Sequence, residues 1–372
     1  MGSLRVMEIN DVDRFFELKG EWNRVLEKSS DNHVLLTWEF MSTYVKHFGD
    51  GRKLKVLCIK DGDRTIAIAP LRLSRYNLAC SFSYNAIEPL AYMHADYTGL
   101  ILSEREAKCL KLLLQYLFQQ GDWDFIYLYD IPGSSILLKL LPKISREASV
   151  TFEFKEGVIC PYLEIPKSTE VLMSRISASL RRNIRRYLKK LEKDYGRVEL
   201  KRYDEIGSVE QAMHTFICLH QKKWQSQGMP GVYNNSKRIN FSLDAANIMA
   251  NRGWLALYFL TANGEPVAGL HCLEYNRVIY GGLSGFDPAY AKYSVGNLAI
   301  IKLMEKCVGK GIKEFDFMKG AEPYKFNWTK TYRRNFGVRF VNKRLNSAIY
   351  DLGIKAAKCV KIDRFLGRFL EF

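Results

Sequence analysis

Two stretches of this chain, about 200 residues apart, carry the same succession of elements. A repeat of that length constrains the architecture more than any single motif does. Residues 54–73 read LKVLCIKDGDRTIAIAPLRL and residues 255–274 read LALYFLTANGEPVAGLHCLE. Each is an apolar run, a turn dipeptide (Asp61-Gly62, Asn263-Gly264) and a second apolar run. Asp-Gly and Asn-Gly suit the positive φ angles of tight hairpins, so each stretch predicts a β-hairpin. The strand-like segments 97–102 and 277–284 come next. A helix follows in each half, Ser103 to Gln120 and Ser294 to Lys310, and each stops at a glycine, Gly121 or Gly311. Ser103, with Glu106 three residues on, has the form of a capping box. Strands then leave both helices, WDFIYLYDI at 123–131 and KEFDFM at 313–318. Strand, helix, strand in that order is the pattern of a crossover between parallel strands.

The chain therefore divides into two α/β domains, each a mixed central sheet flanked by helices. The boundary is expected at 160/161, where Gly157, Pro161 and Pro166 punctuate the chain. Helices are also expected in the first 45 residues, over 168–194, over 208–227 and from 346 onward. At 372 residues with 47% hydrophobic and 13% aromatic side chains, two cores are within reach and disorder is excluded.

Lys and Arg number 56 against 40 Asp and Glu, a net charge of +16. Such a field attracts polyanions or phosphorylated cofactors, or serves solubility alone. The eight cysteines form no C-x-x-C pair and sit mostly in apolar runs, so they are expected to be reduced core residues, without metal. No basic-then-apolar leader and no run of ~18 apolar residues is present, which makes the cytoplasm the expected location.

Several segments together resemble the CelD/BcsL-type acetyltransferases, a branch of the GNAT family related to the FemAB peptidyltransferases. They are LRRNIRRYLKKLEK (180–193), LHQKKWQSQG (219–228), GLHCLEY (269–275), GFDPAYAKYSVGNLAI (285–300) and FDFMKGAEPYKFNW (315–328). The first half matches more loosely through TWEFMSTYVKHFG (37–49), IAIAPL (66–71) and HADYTGL (94–100). The resemblance implies two tandem GNAT-like domains. It also implies acyl transfer from acetyl-CoA or another acyl-CoA to an amine or hydroxyl of a sugar, polysaccharide precursor or other small metabolite.

The expected donor loop runs through Lys292, Tyr293, Ser294, Val295, Gly296 and Asn297 into a helix start, whose free N–H groups suit a pyrophosphate. Laid on the GNAT pattern Q/R-x-x-G-x-G/A, Gly296 takes the last position, Ser294 the middle glycine and Ala291 the basic one. Asp316, Tyr324 and Lys325 stand where the family pattern has its reaction centre: Tyr324 as proton donor to the leaving thiolate, Lys325 for phosphate or oxyanion. The same residues equally suit a turn cap and core packing. His220 lies one helical turn from Trp224 and is a candidate base; His271 competes for that role, and each also fits a core histidine.

The basic helix, with Arg182 and Arg186 among its cations, is suited to a phosphorylated substrate, an anionic membrane face or tRNA, or is a plain solvated face. His94, Asp96 and Tyr97 are expected on the acceptor side, because FemAB-like clefts lie between domains. Under these expectations residues 1–160 serve the acceptor and residues 161–372 the donor and catalysis. Two alternatives stay open: an aminoacyl-tRNA donor as in FemAB relatives, and a non-catalytic glycan- or membrane-binding protein.

Overall fold

A computed structural model describes residues 3–49, 53–77, 83–148, 151–205, 207–343, 347 and 351. The chain separates into two compact units, Met1–Val158 with Arg334–Phe372, and Ile159–Arg333. The described residues from Arg334 onward group with the first unit, where the second domain was expected. The helix expected from 346 onward lies outside the described residues apart from Ser347 and Asp351.

The first unit opens with strand β1 (Leu4–Ile9), where only helix was expected, and helices α1 (Val12–Glu17), α2 (Lys19–Glu27) and α3 (Trp38–Phe48). Strands β2 (Lys53–Leu54), β3 (Val56–Asp61), β4 (Arg64–Ala69), β5 (Leu71–Asn77), β6 (Ser83–Pro89) and β7 (Ile101–Leu102) follow, then α4 (Glu106–Gln120), β8 (Phe125–Pro132) and α5 (Ile136–Ala148). The predicted hairpin is β3 and β4, paired antiparallel from Leu57↔Ala69 to Asp61↔Arg64. Its apolar residues join those of α4 and α5 in one core with Leu110, Leu113, Leu137 and Leu141.

Two details differ from the expectation. Ser103 is not a cap: its hydroxyl donates to the Ile66 carbonyl at 2.7 Å, and α4 starts from Arg105 in the left-handed conformation at φ 48°. The parallel partner of β8 is β6, not the strand before α4.

Strand β9 (Glu153–Glu164) leads into the second unit, followed by α6 (Thr169–Arg175), α7 (Ala178–Tyr195), β10 (Val198–Arg202), α8 (Val209–Gln225) and α9 (Ser236–Asn251). The helix expected over 168–194 is two helices. Ser168 caps the first as foreseen, Ile176 is extended, and Ser177 caps the second by accepting from Leu180 N. Next come β11 (Leu255–Ala262), β12 (Glu265–Tyr275), β13 (Val278–Phe286), α10 (Val295–Cys307) and β14 (Glu314–Asp316); β15 (Tyr332–Val341) belongs from Arg334 on to the first unit, antiparallel to β8.

Within the second unit the strand order is β10-β11-β12-β13-β14-β9. All neighbours are antiparallel except β13 and β14, which the α10 crossover makes parallel. Alternation along the strands sorts the two faces. Ala256, Tyr258, Leu260, Ala268, Leu270 and Cys272 share a core with residues of the helix layer such as Leu180, Ile184, Leu191, Leu298 and Ile301. Gly269 and Gly285 face α8 instead. A Cβ on Gly285 would lie 2.4 Å from the His220 amide nitrogen, so only glycine lets α8 approach this closely.

Candidate active site

The site begins with the parting of two strands. β14 pairs with β13 only from Val278↔Glu314 to Tyr280↔Asp316 and then ends, while β13 runs on to Phe286. On its other edge β13 stays paired with β12 through Gly285↔Gly269 and Phe286↔Ala268, and the amide of Asp287 donates to Val267 O. In an antiparallel ladder hydrogen-bonded and non-hydrogen-bonded pairs alternate. Ser284 and Phe286 therefore turn their N–H and C=O away from β12, toward the side that β14 has vacated.

That side opens on a cavity of about 220 Å³ walled by Lys223, Ser284, Phe286, Ala291, Ser294, Val295, Gly296, Asn297, Ile300 and Tyr324. Its floor is the start of α10. Asp287 accepts from Ala289 N and from Lys222 Nζ at 2.7 Å, which fixes the turn after β13. Ser294 is left-handed at φ 53° and sets the direction of α10. Leu298 N donates back to Ser294 O, leaving the amides of Val295, Gly296 and Asn297 as the unclaimed donors of a helix N-terminus. Their partial positive charge faces the cavity.

Tyr324 forms another wall, and the residues around it explain how it is held. Asp316 is fully buried, and its Oδ1 accepts from Met318 N at 2.7 Å, where Met318 is left-handed at φ 60°. Buried Lys325 donates to the carbonyls of Met318, Lys319 and Gly320 at 3.2, 2.9 and 3.4 Å and pairs with Glu322 at 2.9 Å. Asp316 and Lys325 thus lock the loop that presents Tyr324. Lys325 is therefore not free to serve as the phosphate or oxyanion ligand that the sequence suggested, and Asp316 takes the turn-capping role that suited it equally. Tyr324 is 47% exposed, and partial removal of its phenol from water, aided by the Glu322 carboxylate, pushes it up to about 12, so it keeps its proton at neutral pH.

His220 does not have the freedom of a general base. Trp224 Nε1 donates to its Nε2 at 2.9 Å, and its Nδ1 lies 3.3 Å from Gln221 Oε1. Both ring nitrogens are thereby occupied, and burial lowers its pKa to about 4. His271 is lowered to about 4 as well, by burial and the neighbouring His220. Trp224 acts here as the partner of His220 rather than as a wall of the cavity.

Of the expected donor-loop residues, Ser294, Val295, Gly296 and Asn297 border the cavity; Lys292 and Tyr293 do not. Tyr293 is buried with its hydroxyl on Asp194 Oδ2 at 2.6 Å, and Lys292 lies over the Tyr293 ring at 5.1 Å. Arg182 and Arg186 are exposed on α7, Arg186 donating to Tyr187 Oη at 2.9 Å. His94, Asp96 and Tyr97 belong to the first unit. Tyr97 is buried, and the His94 ring packs against Phe48 at 4.2 Å. The Asp96 carbonyl accepts from Asn335 Nδ2 at 2.8 Å. Tyr97 so placed has no surface to offer a substrate. Sequence reasoning missed Lys223; the one available signal was the cationic pair Lys222-Lys223 at the end of an amphipathic helix.

Among the described residues no three His, Cys, Asp or Glu side chains are grouped to hold a metal ion, and no helix is long and apolar enough to cross a membrane.

Residues 178–326 match the family model of an acetyltransferase (GNAT) domain. No curated protein matches the chain in sequence. Solved structures share its fold. FemX superposes with a TM-score of 0.64 at 11% identity, covering 94% of this chain and 99% of its own. The C-terminal domain (DUF2156) of a putative lysylphosphatidylglycerol synthetase from Agrobacterium fabrum gives 0.54 at 10% identity, covering 93% and 98%. L-PGS from Bacillus licheniformis gives 0.53 at 11% identity, covering 93% and 96%. The matched domain lies wholly inside the second unit and contains the cavity, the parted strands and the α10 start. Residues 178–326 are an acetyltransferase (GNAT) domain, and the chain is an acyltransferase whose fold is shared with FemX.

Proposed function

We propose that this protein moves an acyl group from an acyl-coenzyme A thioester to an amine or hydroxyl of a sugar, polysaccharide precursor or other small metabolite. The observation that carries this reading is the cavity where an unpaired strand edge meets an open helix start. The pyrophosphate sits against the amides of Val295, Gly296 and Asn297. The extended arm of the donor runs along β13 and bonds the outward N–H and C=O groups of Ser284 and Phe286 as a further strand would. The acceptor attacks the thioester carbon directly. The bond to the new nitrogen or oxygen forms, the carbon–sulfur bond breaks, and the Tyr324 phenol gives its proton to the departing sulfur. The acceptor's own proton leaves through water, since the ring nitrogens of His220 are engaged.

The helix start of the first unit supports assigning the acyl donor to the second. Glu106 stands in the first turn of α4, and its carboxylate repels a phosphate there.

Thermal unfolding with and without millimolar acetyl-CoA tests the reading. A ligand at 100 times its Kd adds ~2.7 kcal/mol, a clear rise in midpoint. Gly296→Glu should abolish the rise while folding normally, because the position faces the cavity and a carboxylate in the first helical turn is favourable. An equal rise in both proteins would remove the α10 start from the donor site.

Tyr324→Phe should leave acetyl-CoA binding intact and lower kcat by ~10²–10⁴-fold, the range expected for loss of a positioned acid. Unchanged turnover in this variant would exclude the phenol as proton source.

A second reading rests on α7. Arg182, Arg185, Arg186, Lys189, Lys190 and Lys193 are exposed there, and none makes an ion pair among the described residues. Such a face fits a tRNA-borne aminoacyl donor. A tRNA titration at several salt concentrations separates the two, since phosphate contacts lose affinity steeply with salt.

A further inference from the structure

Adjacent lysines at the end of α8 are in opposite electrostatic situations. Lys222 is exposed and paired with Asp287 at 2.7 Å. Lys223 is half-buried, and among the described residues no carboxylate stands within ion-pair distance of it. Its Nζ donates to Ser284 Oγ at 3.2 Å and lies 5.1 Å from the Trp224 ring centre and 5.8 Å from that of Phe286. Two aromatic faces and a hydroxyl fix the ammonium in place without neutralising it.

Among the described residues, the walls of the 220 Å³ cavity contain one cation, Lys223, and no carboxylate. Removing a lysine from water without a counter-ion is costly, and proteins keep such groups where a partner arrives from outside. Burial lowers the Lys223 pKa, the direction expected of a cation whose counter-ion is missing. The loop before α10 brings Ala291 to the same cavity and sends the Lys292 amine over the Tyr293 ring instead. The positive charge bordering this space therefore comes from a different helix.

We propose that Lys223 is a donor-recognition residue whose ammonium binds a phosphate oxygen of the coenzyme A moiety, acting together with the amides at the start of α10. The assignment rests on the acyl-CoA reading given above. Lys223 selects donors that carry a phosphate and contributes to donor binding rather than to the chemical step. Its loss raises the donor KM and spares kcat.

The test is calorimetric titration of the full chain with coenzyme A, using wild type, Lys223→Met and Lys223→Arg. Methionine keeps an unbranched side chain of similar length and removes the ammonium together with its hydrogen bond to Ser284. Lys223→Met should weaken binding at least tenfold, and Lys223→Arg should recover most of it. Should the methionine variant fail to fold, as judged by its circular dichroism, Lys223→Gln takes its place in the comparison. Steady-state rates then divide the roles: a raised KM for acetyl-CoA with kcat held supports donor recognition. Unchanged affinity in the charge-free variant, or a fall in kcat alone, overturns the proposal and leaves the acyl-CoA reading standing. Absence of coenzyme A binding by wild type overturns both.

Discussion

Between pH 6.5 and pH 5 the second unit should lose up to ~4 kcal/mol of stability through two histidines, buried His220 and half-buried His271. Both have pKa values lowered to about 4, whereas in the unfolded chain each returns to its ordinary value of 6.5. The sign follows from proton counting. Below pH 6.5 the unfolded state binds protons that the folded state refuses, so acid favours unfolding. The stabilisation is complete above the unfolded value and is lost as the pH falls toward the folded one. Each histidine contributes at most ~1.4 kcal/mol per pH unit across that window. Protonating His220 also breaks the Trp224 hydrogen bond, and a charge on His220 opposes a second one on His271.

The first unit contains His33, buried and lowered to about 3, and should show about half this slope. Urea unfolding at half-unit steps from pH 7.5 to 5, followed by tryptophan fluorescence, gives the slope directly. His271→Leu should halve it in the second unit. A stability that stays flat from pH 6.5 to 5 would mean that the rings are hydrated and not buried in solution.

The hairpins of both units and the α10 crossover were legible because they depend on neighbours in sequence. Asn263-Gly264 and Asp61-Gly62 mark their turns, and alternation marks the strands on either side. The entry to α10 was legible for the same reason, as a strand, a Pro-containing turn and a helix start within twenty residues. Elements paired over long distances were not. Nothing local in Tyr332–Val341 shows that it pairs with Phe125–Pro132, some two hundred residues earlier. The candidate chemistry failed where hydrogen bonding decides. Helical spacing correctly put Trp224 beside His220, but spacing cannot tell that the indole fills the nitrogen a base would need. Lys325 had the right neighbourhood and the wrong occupation, with three loop carbonyls already on its amine. Lys222 and Lys223 are identical to a sequence reader; only the position of Asp287 after β13 shows which one is neutralised.

Arg72→Met should destabilise the first unit by about 3–5 kcal/mol, the usual cost of leaving one charge of a buried pair alone. Arg72 and Glu88 face each other across the β5–β6 register, and each is 2% exposed. The guanidinium reaches Glu88 Oε2 through NH2 at 3.2 Å, and its NH1 donates to Tyr44 Oη at 2.6 Å and to Leu90 O at 3.2 Å. Tyr76 Oη donates to the other carboxylate oxygen at 2.7 Å. The network joins α3 to the β5–β6 hairpin, so Arg72→Met strands a carboxylate with a single phenol and unties the helix as well. Arg72→Met with Glu88→Leu removes both charges and should regain most of the loss, because a well-packed apolar pair often equals a buried ion pair. Denaturant midpoints of the wild type, both single variants and the double variant complete the cycle. If the double variant is as unstable as the sum of the singles, the two charges are not coupled, and the cost lies in the Tyr44 and Leu90 contacts alone.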